Sequence, residues 1–119
     1  ILGDGKSVRT LLYGADLAYW LLVIMLHGKS GQVFNIGSDQ AEYLNELAMR
    51  VAAKFSPSPS ILTNTSLAGA GENTRLVPDI SAVKLTFGLE VYTDVAHAIS
   101  RTIDWYQFNL IETENRILR

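Results

Sequence analysis

Apolar positions along this chain follow two different periods. From Ser7 to Tyr13 they alternate, with Val8, Thr10 and Leu12 on one side and Ser7, Arg9, Leu11 and Tyr13 on the other. A period of two predicts a strand. Gly14 breaks that run. Leu17–His27 is then apolar nearly all round, which predicts a buried helix with its stop at Gly28. Asp16 lies at the start of that helix, where a carboxylate can meet free backbone N–H groups and the positive end of the dipole. A short strand is expected over Gln32–Ile36, closed by Gly37, and Ser38 or Asp39 can cap the next helix. Leu44, Leu47, Ala48, Val51, Ala52 and Phe55 repeat at helical spacing, and Ser56-Pro57-Ser58-Pro59-Ser60 ends that helix.

The second half is more broken. Ile61–Thr63 has the makings of a short strand. Asn64–Thr74 is rich in Gly, Asn and Thr and reads as a loop, open to motion. Asp79 is placed to cap a short helix through Phe87, with Gly88 as its stop. Thr93 or Asp94 opens a last helix, whose inner face is expected to carry Val95, Ile99, Thr102, Ile103, Tyr106 and Leu110. The tail after Ile111 is expected to fray. Short strands alternating with longer helices predict a small, mostly helical α/β domain over residues 1–119, with no internal repeat.

Composition narrows the function classes. The chain has 119 residues, enough for one domain with a modest core. Its net charge is −2, with no basic run to track a phosphate backbone, which argues against nucleic acid as partner. There is no cysteine, so disulfides and thiolate metal sites are excluded, and a cytoplasmic location is compatible. The most apolar stretch, Leu17–Leu26, is too short to span a bilayer, so no membrane partner is expected. No secretory leader is visible. A chain opening on Ile1 and a turn-like Gly3-Asp4-Gly5 is expected to be a piece of a longer protein.

Complete catalytic constellations are absent. His27 and His97 have no companion at metal-ligand spacing. No serine lies in a Gly-x-Ser-x-Gly turn. Asp4, Asp39, Asp79 and Asp94 sit where turns and caps want an acid. Gly69-Ala70-Gly71 lacks the flanking strand and helix of a phosphate loop. No catalytic, metal-binding or cofactor-binding residue is therefore assigned. Three polar residues remain. Arg9 shares a strand face with Leu11 and Tyr13, Asn35 interrupts Val33-Phe34-Asn35-Ile36, and Arg75 precedes Leu76-Val77-Pro78-Asp79. A guanidinium keeps its charge and offers a planar fork of donors suited to phosphate oxygens. Two arginines and an amide at strand ends would suit a pyrophosphate. Each also has an ordinary explanation: Arg9 pairing with a neighbouring acid, Asn35 capping a turn, Arg75 standing in solvent.

The chain resembles the C-terminal, substrate-binding part of the extended short-chain dehydrogenase/reductase family, the NAD-dependent nucleotide-sugar epimerases and dehydratases. It is most similar to the dTDP-glucose 4,6-dehydratase-like group. The resemblance runs in order through Gly3-Asp4-Gly5-x-x-x-Arg9-x-x-x-Tyr13-x-x-Asp16-Leu17-Ala18 and Phe34-Asn35-Ile36-Gly37-Ser38. It continues through Glu46-Leu47-Ala48, Val77-Pro78-Asp79-Ile80-Ser81, Phe87-Gly88-Leu89 and Ala98-Ile99-x-x-Thr102-Ile103-x-Trp105. It implies that Arg9, Asn35 and Arg75 occupy substrate-binding positions at the pyrophosphate and nearby ribose of a nucleotide sugar. It further implies a Rossmann domain, N-terminal to this one, that holds NAD. The Gly-x-x-Gly-x-x-Gly fingerprint is missing here, and no Tyr has a Lys four residues on. Residues 1–119 alone are therefore expected to bind no NAD and to be inactive.

The competing expectation is a small α/β interaction module without a ligand, in which the three polar residues scatter and pair locally. A related nucleotide-sugar reductase or decarboxylase is a third. If a dinucleotide-binding domain once packed here, the face that met it should be exposed. The apolar first helix and its strand are the candidates, and self-association through that face is expected.

Overall fold

The structure, a computed structural model, describes residues 1–64 and 74–117, with side chains as far as Asn109. Its elements in chain order are β1 (Val8–Thr10), α1 (Gly14–His27), β2 (Ala41–Tyr43), α2 (Leu44–Ala52), α3 (Ser81–Phe87) and α4 (Val95–Ile117). This is the small, mostly helical α/β arrangement that the periodicities predict.

β1 lies between two partners. On one edge it pairs antiparallel with β2, in the register Val8↔Tyr43, Arg9↔Glu42 and Thr10↔Ala41. On the other, Val8 N–H donates to Thr74 O (2.9 Å) and Leu76 N–H to Val8 O (3.1 Å). That second pairing is an isolated parallel bridge between Val8 and Arg75. β2 is not foreseen from the sequence. Ala41 and Glu42 are poor strand formers, and they become a strand through the hydrogen bonds of β1.

The core sits between α1 and α3. Trp20, Ile80, Val83 and Leu89 are buried, and Val23, Ile24, Phe34, Ile36, Phe87 and Val91 pack against them. The Trp20 indole N–H donates to Glu90 O at 3.1 Å, so the ring is buried with its polar atom satisfied. Phe34 and Phe87 meet edge to face with centroids 5.1 Å apart. The sequence places the limits of α3 well. Asp79 Oδ1 accepts from Ser81 N–H at 2.9 Å. Gly88 takes the left-handed conformation (φ 67°) and donates to Lys84 O at 2.8 Å, which is the usual helix stop. α4 is opened by Asp94, whose Oδ1 accepts from His97 N–H at 2.9 Å. It runs on to Ile117.

Several expectations are corrected. Helix α1 is not buried all round, for only Asp16 and Trp20 are. Leu21 and Leu22 are half exposed, and Met25 and Leu26 reach 70% and 71%. The reason is the shape of the molecule. It is a slab 20 Å thick with a radius of gyration of 18.0 Å, against roughly 13–14 Å for a packed domain of this length. Among the described residues, α1 finds a neighbour on one side. Gln32–Ile36 forms no strand, because no ladder partner lies beside it among the described residues. It instead lends Phe34 and Ile36 to the core.

Asp16 does not cap its own helix. α1 begins two residues earlier, and the Asp16 carboxylate reaches across to the Tyr92 and Thr93 N–H groups and the Thr93 hydroxyl. It thus ties the start of α1 to the turn that opens α4. Ser38 and Asp39 cap no helix either. Ser38 Oγ accepts from Gln40 N–H, and Asp39 pairs with Lys84. The second helix ends at Ala52, leaving Phe55 beyond it and 40% exposed.

Ile61–Thr63 is not a strand, although Asn64 bridges Leu2 and Gly3. On α4, Val95 and Ile99 are buried and Ile103 is half buried. Thr102 and Tyr106 face solvent, and the side chain of Leu110 lies outside the described residues. So do positions 65–73 of the expected loop.

Candidate functional site

Arg9 sits at the centre of β1, half buried. Its Nη1 donates to Val8 O (2.8 Å) and Thr74 O (2.9 Å), and its Nη2 to Thr74 Oγ1 (2.8 Å). All three acceptors are neutral. The bonds orient the guanidinium without bringing a negative charge to it, and donors remain among the five it carries. The acid directly across the ladder is Glu42, and it is engaged elsewhere. Arg50 Nε lies 3.2 Å from Glu42 Oε2. That oxygen is shielded from solvent and has no aligned hydrogen bond, so the contact is an ion pair held by charge and proximity. Among the described residues Arg9 has no carboxylate partner. The reading in which Arg9 pairs with a neighbouring acid finds no such acid among the described residues.

Arg75 is exposed and is the bridge partner of Val8. It follows Thr74, the residue that holds the Arg9 guanidinium. The two arginines thus leave adjacent extended segments at one edge of β1. Asn35 is fixed at the other end of the 75–79 segment, where its Nδ2 donates to Asp79 O at 3.0 Å. Close approach there depends on Gly37, since a Cβ at that position would lie 2.7 Å from Pro78 Cγ. The fold thus sets Arg9 and Arg75 on neighbouring extended segments, but Arg75 is the register partner of Val8, so side-chain alternation sends the two guanidinium stems from opposite faces. Asn35 lies at the far end of the 75–79 segment, and no described contact joins the three side chains. Sequence reasoning missed the Glu42–Arg50 pair. No local pattern marks it, because its proximity to Arg9 comes from the register of β1 on β2.

The remaining acids behave as structural groups. Asp39 is held below its ordinary value of 3.8 chiefly by the Lys84 ammonium bonded to it at 2.7 Å. Asp79 is lowered by its hydrogen bonds from Ser81. Asp94 is lowered first by the backbone N–H of His97 and then by the imidazole, whose Nδ1 lies 2.6 Å from Asp94 Oδ2. The His97 ring and its acid are both exposed at a helix end, and His27 is exposed at the end of α1. No group of three His, Asp or Glu side chains fit for a metal occurs among the described residues.

Two shallow concavities flank the β1–α1 turn. One, of about 340 Å³, is apolar and lies against Leu12, Tyr13, Val51, Ile99 and Ile103. The other, of about 480 Å³, is lined by Tyr13, Arg101, Thr102, Asp104 and Trp105. None of Arg9, Asn35 and Arg75 lines either. No described helix is long and apolar enough to cross a membrane.

No protein-family model matches the chain. It is 28% identical over 109 residues to a trifunctional UDP-glucose 4,6-dehydratase, 3,5-epimerase and UDP-4-keto-L-rhamnose reductase of Arabidopsis thaliana. That match covers 92% of this chain and 16% of the plant protein. Several solved structures share the fold. A UDP-glucose 4-epimerase of Thermotoga maritima, with UDP-glucose, superposes with a TM-score of 0.80 at 22% identity, over 92% of this chain and 35% of that one. A dTDP-glucose 4,6-dehydratase of Bacillus anthracis, in complex with NAD, gives 0.73 at 23%, over 92% and 34%. The resemblance to the NAD-dependent nucleotide-sugar dehydratases and epimerases therefore holds in both sequence and fold. The chain spans about a third of the length of these two enzymes, and less of the plant protein.

Proposed function

We propose that residues 1–119 form the nucleotide-sugar-binding domain of an NAD-dependent sugar dehydratase or epimerase, and that Arg9, Arg75 and Asn35 hold the diphosphate of the substrate. The observation that carries this reading is the state of Arg9. Its guanidinium is oriented by neutral oxygens and has no carboxylate partner among the described residues, and Arg75 lies on the neighbouring extended segment. A diphosphate supplies the anionic oxygens that this guanidinium lacks among its described partners, and charge-assisted bonds to a planar fork fix its orientation. Asn35 adds an amide toward the ribose side.

In this reading the chain's share of catalysis is positioning. Binding energy at the diphosphate, remote from the reacting carbon, sets the sugar in register with chemistry performed elsewhere. NAD, when bound to the enzyme, takes up and returns a hydride. We assign it to a domain preceding this one, because the present chain has neither the Gly-rich fingerprint nor a Tyr-x-x-x-Lys pair to hold it. Residues 1–119 alone are accordingly inactive. The uncovered apolar face of α1 is the surface on which that domain rests, and two isolated copies associate through it.

The test is calorimetric and NMR titration of the chain with UDP, dTDP, CDP and GDP, with Arg9→Ala as control. Weak saturable binding is expected, with shifts at residues 8–9, 35 and 74–79. Arg9→Ala should weaken it at least tenfold, about 1.4 kcal/mol. Binding that is indifferent to Arg9→Ala, or that maps to other residues, contradicts the proposal.

A further inference from the structure

We propose that Arg50 is a positioning residue for Arg9: by holding the Glu42 carboxylate, it keeps the Arg9 guanidinium free for an anionic ligand. The inference rests on the reading of Arg9 as a diphosphate ligand and deepens it. Arg9 and Glu42 are register partners on β1 and β2. Residues so placed have Cβ atoms about 5 Å apart, and opposite charges there ordinarily attract. Here they do not pair. The Arg9 donors go to Val8 O, Thr74 O and Thr74 Oγ1. Glu42, its side chain 20% exposed, is met instead by Arg50 Nε at 3.2 Å from the last turn of α2.

Glu42 Oε2 is the one shielded side-chain oxygen among the described residues without an aligned hydrogen bond. It is thus an acceptor with spare capacity, one residue across the ladder from the guanidinium. Without Arg50, the nearest cation to that oxygen on the two paired strands is Arg9. A pair formed there would compete with any diphosphate for the same donors. The ion pair between β2 and α2 therefore acts by removing a competitor and touches no ligand itself.

The experiment compares the wild-type chain with Arg50→Met, Arg50→Lys and Arg50→Met/Glu42→Gln, using UDP as probe. Arg50 is half exposed and lies at the end of α2, so these variants should fold. Arg50→Met should weaken UDP binding about threefold to fivefold, the scale of one partly exposed ion pair formed in competition. Arg50→Lys should keep the affinity, and adding Glu42→Gln to Arg50→Met should restore it. A loss that Glu42→Gln does not rescue, or no loss at all while Arg9→Ala abolishes binding, overturns the inference and leaves the ligand assignment intact. A second readout needs no ligand. The Arg9 side-chain Nε–Hε resonance should shift in Arg50→Met and return in the double variant. An unmoved resonance overturns the inference even if UDP does not bind, and failure of UDP binding with a moved resonance refutes only the ligand assignment.

Discussion

Replacing Asp16 by alanine removes three hydrogen bonds at once. Its Oδ2 accepts from the N–H of Tyr92 at 3.1 Å and of Thr93 at 2.8 Å, and its Oδ1 from the Thr93 hydroxyl at 3.0 Å. The residue is 7% exposed. The two N–H groups belong to the turn that opens α4, where no helical carbonyl is available to take them. Leaving a buried donor unpaired costs about 1–3 kcal/mol, more when its partner was charged. Tyr92 is exposed and Thr93 half buried, so water recovers part of that loss. The net cost for Asp16→Ala should be about 2–4 kcal/mol.

Asp16→Asn keeps the volume and one acceptor oxygen. Its amide NH2 can face the Thr93 hydroxyl, which can turn to accept, so the cost should fall to about 1–2 kcal/mol. Urea unfolding followed by Trp20 fluorescence would measure both. Trp20 is fully buried one turn along α1, and the exposed Trp105 is first replaced by Phe to leave a single reporter. A loss below about 0.5 kcal/mol for Asp16→Ala, within the usual range for an unimportant surface change, would refute the claim that this carboxylate joins α1 to α4.

Two further predictions concern the surface and pH. The exposed arc of α1 holds Leu17, Leu21, Leu22, Met25 and Leu26 with no charge between Asp16 and His27. Sedimentation equilibrium should show a mass that rises with concentration, and Leu22→Glu/Met25→Lys should abolish the rise; a wild-type monomer at high concentration defeats the expectation. Asp94 has a lowered folded pKa, first from the His97 N–H and then from its imidazole. Its contribution to stability is therefore full above its unfolded value near 3.8 and is lost as pH falls through the lower folded value. The urea midpoint should drop below pH 3.8 less steeply in Asp94→Asn than in wild type, and parallel curves would show that the cap is energetically idle.

Features written in neighbouring residues were legible from the sequence alone. The alternation around Val8–Thr10 becomes β1, the helical repeat from Leu44 becomes α2, and Asp79, Gly88 and Asp94 mark helix limits where they were expected. These depend on backbone geometry within a few residues, which composition and spacing encode directly. Arg9 was legible as a charged residue set into a strand.

Tertiary structure alone decided what that charge meets. Thr74 orients Arg9 from 65 residues away, and the pairing of β1 with β2 sets across from it a Glu42 that Arg50 of α2 holds. It also decided that β2 forms and Gln32–Ile36 does not, since a strand exists only where a neighbour accepts its hydrogen bonds. The apolar sequence of α1 states that the helix should be covered. It does not state by what, and among the described residues a slab 20 Å thick supplies a neighbour on one side. Periodicity measures how much surface must leave water, whereas the identity of the covering surface is a property of the elements brought together in space.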